Sequence, residues 1–371
     1  MKQKSSEIHV AKVLPFSEES LTFCAKALKS DSLVAFPTET VYGLGANALS
    51  EKAAEKIFSA KGRPKSDPLI VHISFMRQAE SLTNMSEFQR QCFDVLGTKF
   101  WPGPLTIIVK ASNIVPKIIT ANGDSIALRI PANKVAQELL KQANIPVAAP
   151  SANRFGHVSP TTAKHVYDDL SDFDDLYILD HSENCSIGIE STVIKIFEKN
   201  KIALLRPGAI SSLQIKSELN KEKINFKFEI LQRVVKIQDI EKSANISMES
   251  PGQLLTHYAP TIEAFIVTNQ SKSENFGQTF SKEFLNSSVI IDFNQKNASL
   301  MKSSLKYIDL SSRGDFDEAS QNLFSYLRNA EKIEGAKYIL LPDLIEQNNE
   351  KSFGVFDRIY RAASGKYINI I

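Results

Sequence analysis

The chain has 371 residues, enough for two domains of ordinary size, and 43% of them are hydrophobic, which excludes an intrinsically disordered protein. With 44 basic side chains against 42 acidic ones the formal charge is +2, so a nucleic-acid binder working through bulk charge is not expected, although a local basic patch remains compatible. Cys24, Cys92 and Cys185 form no C-x-x-C pair, the start MKQKSSEIHVAKVLPF has no apolar leader core, and no apolar run approaches the roughly 18 residues of a membrane span; a reducing cytoplasm, without disulfides, a cysteine-held zinc or a membrane segment, is the expectation.

In chain order, Ser32–Phe36, Pro68–Ile73, Leu105–Lys110, Ser125–Ile130, Ile145–Pro150, Leu176–Asp180 and Ser191–Phe197 read as strands, each short, apolar or β-branched and bounded by turn residues. Between them Ser50–Ala60 reads as a helix with Ser50 as its N-cap, and MSEFQRQCFDVLGTKF and NKVAQELLKQA read likewise. Short spacing between some strands predicts a mixed sheet. The Lys/Glu-rich stretch from Ser211 predicts one or two helices and a linker near Asn245–Thr261. Beyond it IEAFIV, SVIIDF, LKYIDL and AKYILLPDL, with a helix in DEASQNLFSYLRNAEK, predict a small parallel, Rossmann-like α/β domain.

The stretch FPTETVYGLGANA (Phe36–Ala48) contains G-x-G-x-x-A, but its glycines follow a proline and a hydroxyl run instead of opening a strand–helix turn, so a dinucleotide loop is not expected. Gly43 and Gly45 read as turn glycines on the way to the helix at Ser50. The hydroxyls of Thr38 and Thr40 fall on one side of an extended segment by period-two alternation. No G-x-x-x-x-G-K-[ST] occurs, which excludes a P-loop, and no H-E-x-x-H or G-x-S-x-G is present. In AKGRPKSDPLIVHI, Lys61, Arg63 and Lys65 are separated by Gly62 and Pro64, which keeps them off one helical face and forms a cationic loop suited to phosphate. The bland alternative is a solvated basic turn. His72 sits in the following strand, where a structural role competes with a functional one. Ser151, Asn153 and Ser159 in PVAAPSANRFGHVSP cluster at a strand end with polar groups suited to ribose or phosphate oxygens. SIGIESTVIKI and LLRPGAI add Glu190, Ser191, Thr192 and Arg206 at strand ends. Arg129, a charge in the apolar strand SIALRI, needs a partner, either a bound anion or an internal acid.

PTETVYGLG, KGRP with PLIVHI, WPGPLT, ALRIPA, APSAN, ESTV and LLRPG, followed by SPGQLLTHYAP, together resemble the threonylcarbamoyl-AMP synthase family in its longer form. The resemblance implies a YrdC-like catalytic domain over residues 8–210, built on a twisted open mixed sheet with a basic concave cavity, a helical segment and linker over 211–260, and an accessory α/β domain over 261–371. It implies that L-threonine, bicarbonate and ATP give threonylcarbamoyl-adenylate, pyrophosphate and water. Other proteins then pass the threonylcarbamoyl group to an adenosine beside the anticodon of certain tRNAs, so contact with tRNA is indirect. It assigns Lys61 and Arg63 to catalysis and, with Asp67, Ser125, Ser151, Asn153, Ser159, Arg206 and Tyr258, to ATP. Thr38, Thr40, His72, Arg129, Ala149 and Ser191 are assigned to threonine. At Asp67 the family pattern favours Asn or another neutral polar residue. Mg²⁺ is expected on the ATP phosphates with no side-chain ligands, and the linker with His257 and Tyr258 is expected to act as a gate. The competing class is a non-catalytic nucleotide- or double-stranded-RNA-binding module.

Overall fold

The computed structural model describes residues 10–181, 185–231, 250, 252, 254–268, 282–344 and 349–369. The linker expected at Asn245–Thr261 therefore lies partly outside the described residues.

The larger sheet is formed by β1 (Lys12–Pro15), β2 (Leu33–Phe36), β3 (Gly43–Asn47), β4 (Ile70–His72), β5 (Leu105–Lys110), β6 (Ser125–Arg129), β7 (Val147–Ala148), β8 (Leu176–Asp180), β9 (Thr192–Ile196), β10 (Lys201–Arg206) and β11 (Lys227–Ile230). Their spatial order is β1-β8-β2-β3-β7-β4-β6-β5-β9-β10-β11. β1 and β2 run parallel to β8, β4 to β6, β5 to β9 and β10 to β11, while the other neighbours are antiparallel, so the sheet is mixed as expected. The second sheet contains β12 (Glu263–Thr268), β13 (Ser288–Asp292), β14 (Lys306–Asp309), β15 (Tyr338–Pro342) and β16 (Tyr367–Asn369), all parallel, in the order β14-β13-β15-β12-β16. No helix among the described residues is long and apolar enough to cross a membrane.

Two local readings need correction. Gly43 and Gly45 belong to strand β3, not to a turn. A Cβ on Gly45 would stand 2.8 Å from Phe36 Cε1 and 3.0 Å from Val147 Cγ1, so glycine is needed there for close strand packing. The stretch after Ser211 holds a helix, Ser212–Lys221, but Lys227–Ile230 is an edge strand. Its Lys/Glu content imitates a helix, yet it pairs in parallel with β10: Phe228 packs on the core while Glu229 pairs with Lys201 and Lys227. Helix Glu350–Ala362 and strand β16 extend the second domain beyond the elements legible in the sequence.

The two domains share one apolar cluster. Val41, Val158 and Ile189 of the first domain and Tyr258 of the linker are buried with Leu323, Phe324, Val355 and Ile359 of the second. Beside it lies an ionic clamp. His157 Nδ1 is 2.9 Å from Asp169 Oδ2 and Nε2 is 3.0 Å from Glu331 Oε1, while Arg328 donates to Asp169 and Glu331 accepts from the Thr261 backbone. Burial alone pulls the imidazole pKa down, but the hydrogen bonds to Asp169 and Glu331 outweigh it and the net direction is upward. Asp169 and Glu331 are held below their usual carboxylate values despite burial. A raised histidine pKa contributes stability that is present below the unfolded value and lost as pH rises through the folded one. The clamp's histidine contribution is therefore present in full only below the unfolded value of about 6.5 and is lost as pH rises through the raised folded one. We predict that His157→Gln costs about 1.5–3 kcal/mol at about pH 5.5, the range for hydrogen bonds to charged groups, and markedly less at alkaline pH. Thermal melts of both proteins across that interval check this.

Candidate active site

The cationic loop is produced by helix termination. Ser50 caps helix Glu51–Lys61 by accepting from Ala53 N, and Gly62 ends it in the left-handed region at φ 65°. Lys61 is thus the last helical residue and Arg63 departs on a new path. Lys61 Nζ donates to Ser151 O at 2.6 Å and to Asn153 O at 2.5 Å, tying the KGRP loop to the APSAN turn. Arg63 donates from Nε to Asp67 O and from Nη2 to Pro68 O. Its Nη2 also lies 2.8 Å from Asp67 Oδ1, an ion pair whose alignment falls short of a hydrogen bond. The second cationic expectation, Lys65, points away and pairs with Glu55 on the surface.

The opposite wall is formed by the loop between β2 and β3. Thr38 Oγ1 lies 2.8 Å from Thr40 Oγ1 and donates to Val41 O, so the two hydroxyls meet through a turn and not through extended alternation. Arg129, at the end of β6, donates to Thr40 Oγ1 at 3.0 Å and to Glu39 Oε1 at 2.6 Å. Glu39 Oε2 accepts in turn from Ala132 N and Asn133 N. The strand charge therefore has an internal partner, and the alternative left open in the sequence closes in favour of the acid. Glu39 went unnoticed although it lies inside PTETVYGLG; an acidic residue in a motif otherwise apolar or hydroxylic carries the same demand for a partner as Arg129.

Between these walls is a narrow cleft that opens to solvent. Thr38, Thr40, Arg63, His72, Arg129, Ala149, Ser151, Ser191, Arg206 and Tyr258 line it, joined by Glu190 and His257. Ser191 Oγ is 2.7 Å from Thr106 Oγ1 and accepts from Arg206 Nη2 at 3.1 Å. Lys61, Asp67, Asn153 and Ser159 stand behind the lining. Asn153 Nδ2 is bound to backbone oxygens of Arg154 and His157, and Ser159 Oγ donates to Glu190 Oε1 at 2.5 Å. Ser125 is not brought to the cleft. It starts β6, at the far end from Arg129, bonds to Asp124, and lines a separate depression with Lys110 and Lys195.

The cleft is electropositive and its cations are buried. Burial, followed by the neighbouring Arg63 charge, drives the Lys61 pKa well below its ordinary value, and burial lowers Arg63 and Arg206 as well. His72 falls to about 3 through burial and then Arg129, which leaves a neutral imidazole. His72 Nδ1, Asn153 Oδ1, His257 Nδ1 and Tyr258 Oη are buried with no hydrogen-bond partner among the described residues. Such groups are costly unless a ligand satisfies them. Tyr258 also holds a left-handed φ of 59°, strain of roughly 1–3 kcal/mol for a non-glycine residue. Gly252 packs over it; a Cβ there would stand 2.9 Å from the tyrosine oxygen and 3.3 Å from Arg206 Cδ. The donor set does not fit a resident magnesium ion. Glu39 and Glu190 are already engaged, and among the described residues no group of three His, Cys, Asp or Glu side chains is placed to hold a metal.

Asp67 is fully buried, and burial pushes its carboxyl up to about 6 against the opposing pull of Arg63, Lys61 and Arg206. A carboxylate raised in the folded state costs stability as pH rises through that value. Asp67→Asn removes the cost, so the stability of the variant relative to the parent is predicted to grow by roughly 3 kcal/mol between pH 4 and pH 8. Denaturant titrations at the two pH values measure this, and a constant difference would contradict the charge assignment.

A family model described as "Telomere recombination", covering Sua5, YciO and YrdC, matches residues 26–208, and one described as "Threonylcarbamoyl-AMP synthase, C-terminal domain" matches residues 222–364. The threonylcarbamoyl-AMP synthase of Pyrococcus abyssi is 35% identical over 95% of this chain and 96% of its own length. That of Schizosaccharomyces pombe is 34% identical over 96% of this chain and 91% of its own. The crystal structure of P. abyssi Sua5 complexed with L-threonine matches with a TM-score of 0.78 and 30% identity, over 97% of this chain and 99% of that one. The chain thus belongs to the threonylcarbamoyl-AMP synthase family, in its two-domain form.

Proposed function

We propose that this chain condenses L-threonine, bicarbonate and ATP into threonylcarbamoyl-AMP, pyrophosphate and water, the adenylate then supplying other proteins that modify adenosine beside a tRNA anticodon. The observation that carries the reading is a cleft bordered by the buried side chains of Lys61, Arg63 and Arg206, cations held below their ordinary basicity, beside a wall of hydroxyls and a neutral histidine. An anion of high charge density is the ligand that such a cleft stabilises most.

In this reading the threonine amine attacks bicarbonate carbon with loss of water to give a carbamate. A carbamate oxygen then attacks the α-phosphorus, and pyrophosphate leaves. Thr40, Arg129, His72, Ser191 and the backbone at Ala149 hold threonine. Arg129 keeps its Glu39 partner and offers a guanidinium already locked in orientation. Thr38 acts one step back, fixing Thr40 and the turn. Arg63 and Arg206 face the phosphates, Lys61 sets the Ser151–Asn153 turn against them, and Tyr258 covers the nucleotide. Asp67 and Ser159 support through Arg63 and Glu190, and Ser125 has no contact that brings it to this cleft. Magnesium enters as part of the Mg·ATP substrate. Catalysis is positioning plus neutralisation of developing phosphate charge, without a side-chain nucleophile.

Arg63→Ala alone would strand the buried Asp67 carboxylate, so the informative protein is Arg63→Ala made together with Asp67→Asn. Pyrophosphate release dependent on both threonine and bicarbonate is expected to fall about 100-fold or more relative to Asp67→Asn alone, the scale of losing one preorganised donor. Equal rates would remove Arg63 from the site. Binding of nucleotide or double-stranded RNA by the parent without turnover would favour the binding-module reading.

A further inference from the structure

Helix Glu350–Ala362 of the second domain reaches the cleft's wall. Gly354 permits the approach: a Cβ there would meet Ile189 Cδ1 at 3.1 Å and Gly208 Cα at 3.5 Å. One turn later Arg358 is fully buried, and its guanidinium is spent almost entirely on the first domain. Nε donates to Glu190 Oε2 at 3.0 Å, Nη2 to Glu190 O at 3.2 Å, and Nη1 to Pro207 O at 2.5 Å. The same cation lies 5.7 Å from the centre of the Tyr258 ring, which Phe324 supports from another side at 5.3 Å. Asp357 fixes Arg358 from behind and also binds Arg361, whose guanidinium holds the linker at Leu254 O.

Glu190 and Tyr258 both line the cleft, and Pro207 follows directly on Arg206. An arginine serving only to glue two domains would not need to end on three cleft-forming segments at once. Lysine could not replace it, since a point ammonium cannot donate in parallel to Glu190 and Pro207 while presenting a flat cation to the tyrosine. We infer that Arg358 is a positioning residue of the active site, setting the Glu190–Ser191 wall and the Tyr258 cover together, so that the second domain is a structural part of the catalytic centre.

This inference rests on the reaction proposed above, and the test separates the two. In the full-length chain, Arg358→Lys is expected to lower kcat for threonine-dependent pyrophosphate release at least tenfold per folded molecule, the folded fraction being fixed by a thermal melt. The KM for threonine should rise as well, because Ser191 belongs to the wall that Arg358 sets, but by less than the loss in kcat. A role confined to stability would leave kcat per folded molecule unchanged. If Arg358→Lys melts below the assay temperature, Asp357→Asn loosens the same guanidinium more gently and should cost about threefold in kcat. Unchanged kcat per folded molecule in the variant assayed overturns the assignment. Hydrogen–deuterium exchange gives a readout that needs no turnover. Residues 188–192 and 254–259 should lose protection in the variant while the five-stranded sheet keeps its own. Retained protection would overturn the inference even if the parent proves to catalyse another reaction, and absence of turnover in the parent with the exchange change present would count against the reaction alone.

Discussion

Lys61, Arg63 and Arg206 carry three cations into an interior that leaves each of them no more than 6% exposed, and the rest of the structure is arranged around that placement. Removing such groups from water costs several kcal/mol per ion unless geometry returns it. Part of the return is internal. Lys61 is held by two carbonyl oxygens, Arg206 by Ser191, and Arg63 by two carbonyls and the paired Asp67. The remainder falls to a ligand, and His72, His257 and Tyr258, which line the same cleft, each hold a buried polar atom with no hydrogen-bond partner among the described residues. A site of this kind binds polyanions through preorganised donors and offers little to a neutral molecule.

The Arg129 end follows a different rule. Arg129 there donates to Glu39, Thr40 and Gly103 O, which fixes its guanidinium and balances its charge while leaving N–H donors over. The cleft therefore has one end where Arg129 is locked onto Glu39 and another where Lys61, Arg63 and Arg206 gather around the buried Asp67. The linker and second domain complete the enclosure, with Tyr258 strained into the cleft, supported by Phe324 and Arg358, and capped by Gly252.

Much of this was legible in the sequence, for identifiable reasons. Strong local signals located β5 and β8 to the residue, the Ser50 cap, and the four main strands of the second domain. The cationic loop was readable because Gly62 and Pro64 forbid a continuous helix. What escaped depends on distance in space. Nothing local ties Glu39 to Arg129, 90 residues apart, or Arg358 to Glu190, 168 residues apart. Gly45 imitates a turn glycine because the Phe36 and Val147 side chains that require it arrive from other strands. Ser125 shows the opposite error: it shares a strand with Arg129, yet its side chain lines another depression.

The central claim is that one enclosed cleft joins three substrates through a carbamate. The most direct measurement is mass spectrometry of the purified chain incubated with Mg·ATP, L-threonine and ¹³C-bicarbonate. The account predicts threonylcarbamoyl-AMP carrying the heavy carbon, formed only when all three substrates are present. Pyrophosphate release with no labelled adenylate, or adenylate formed without bicarbonate, would contradict it.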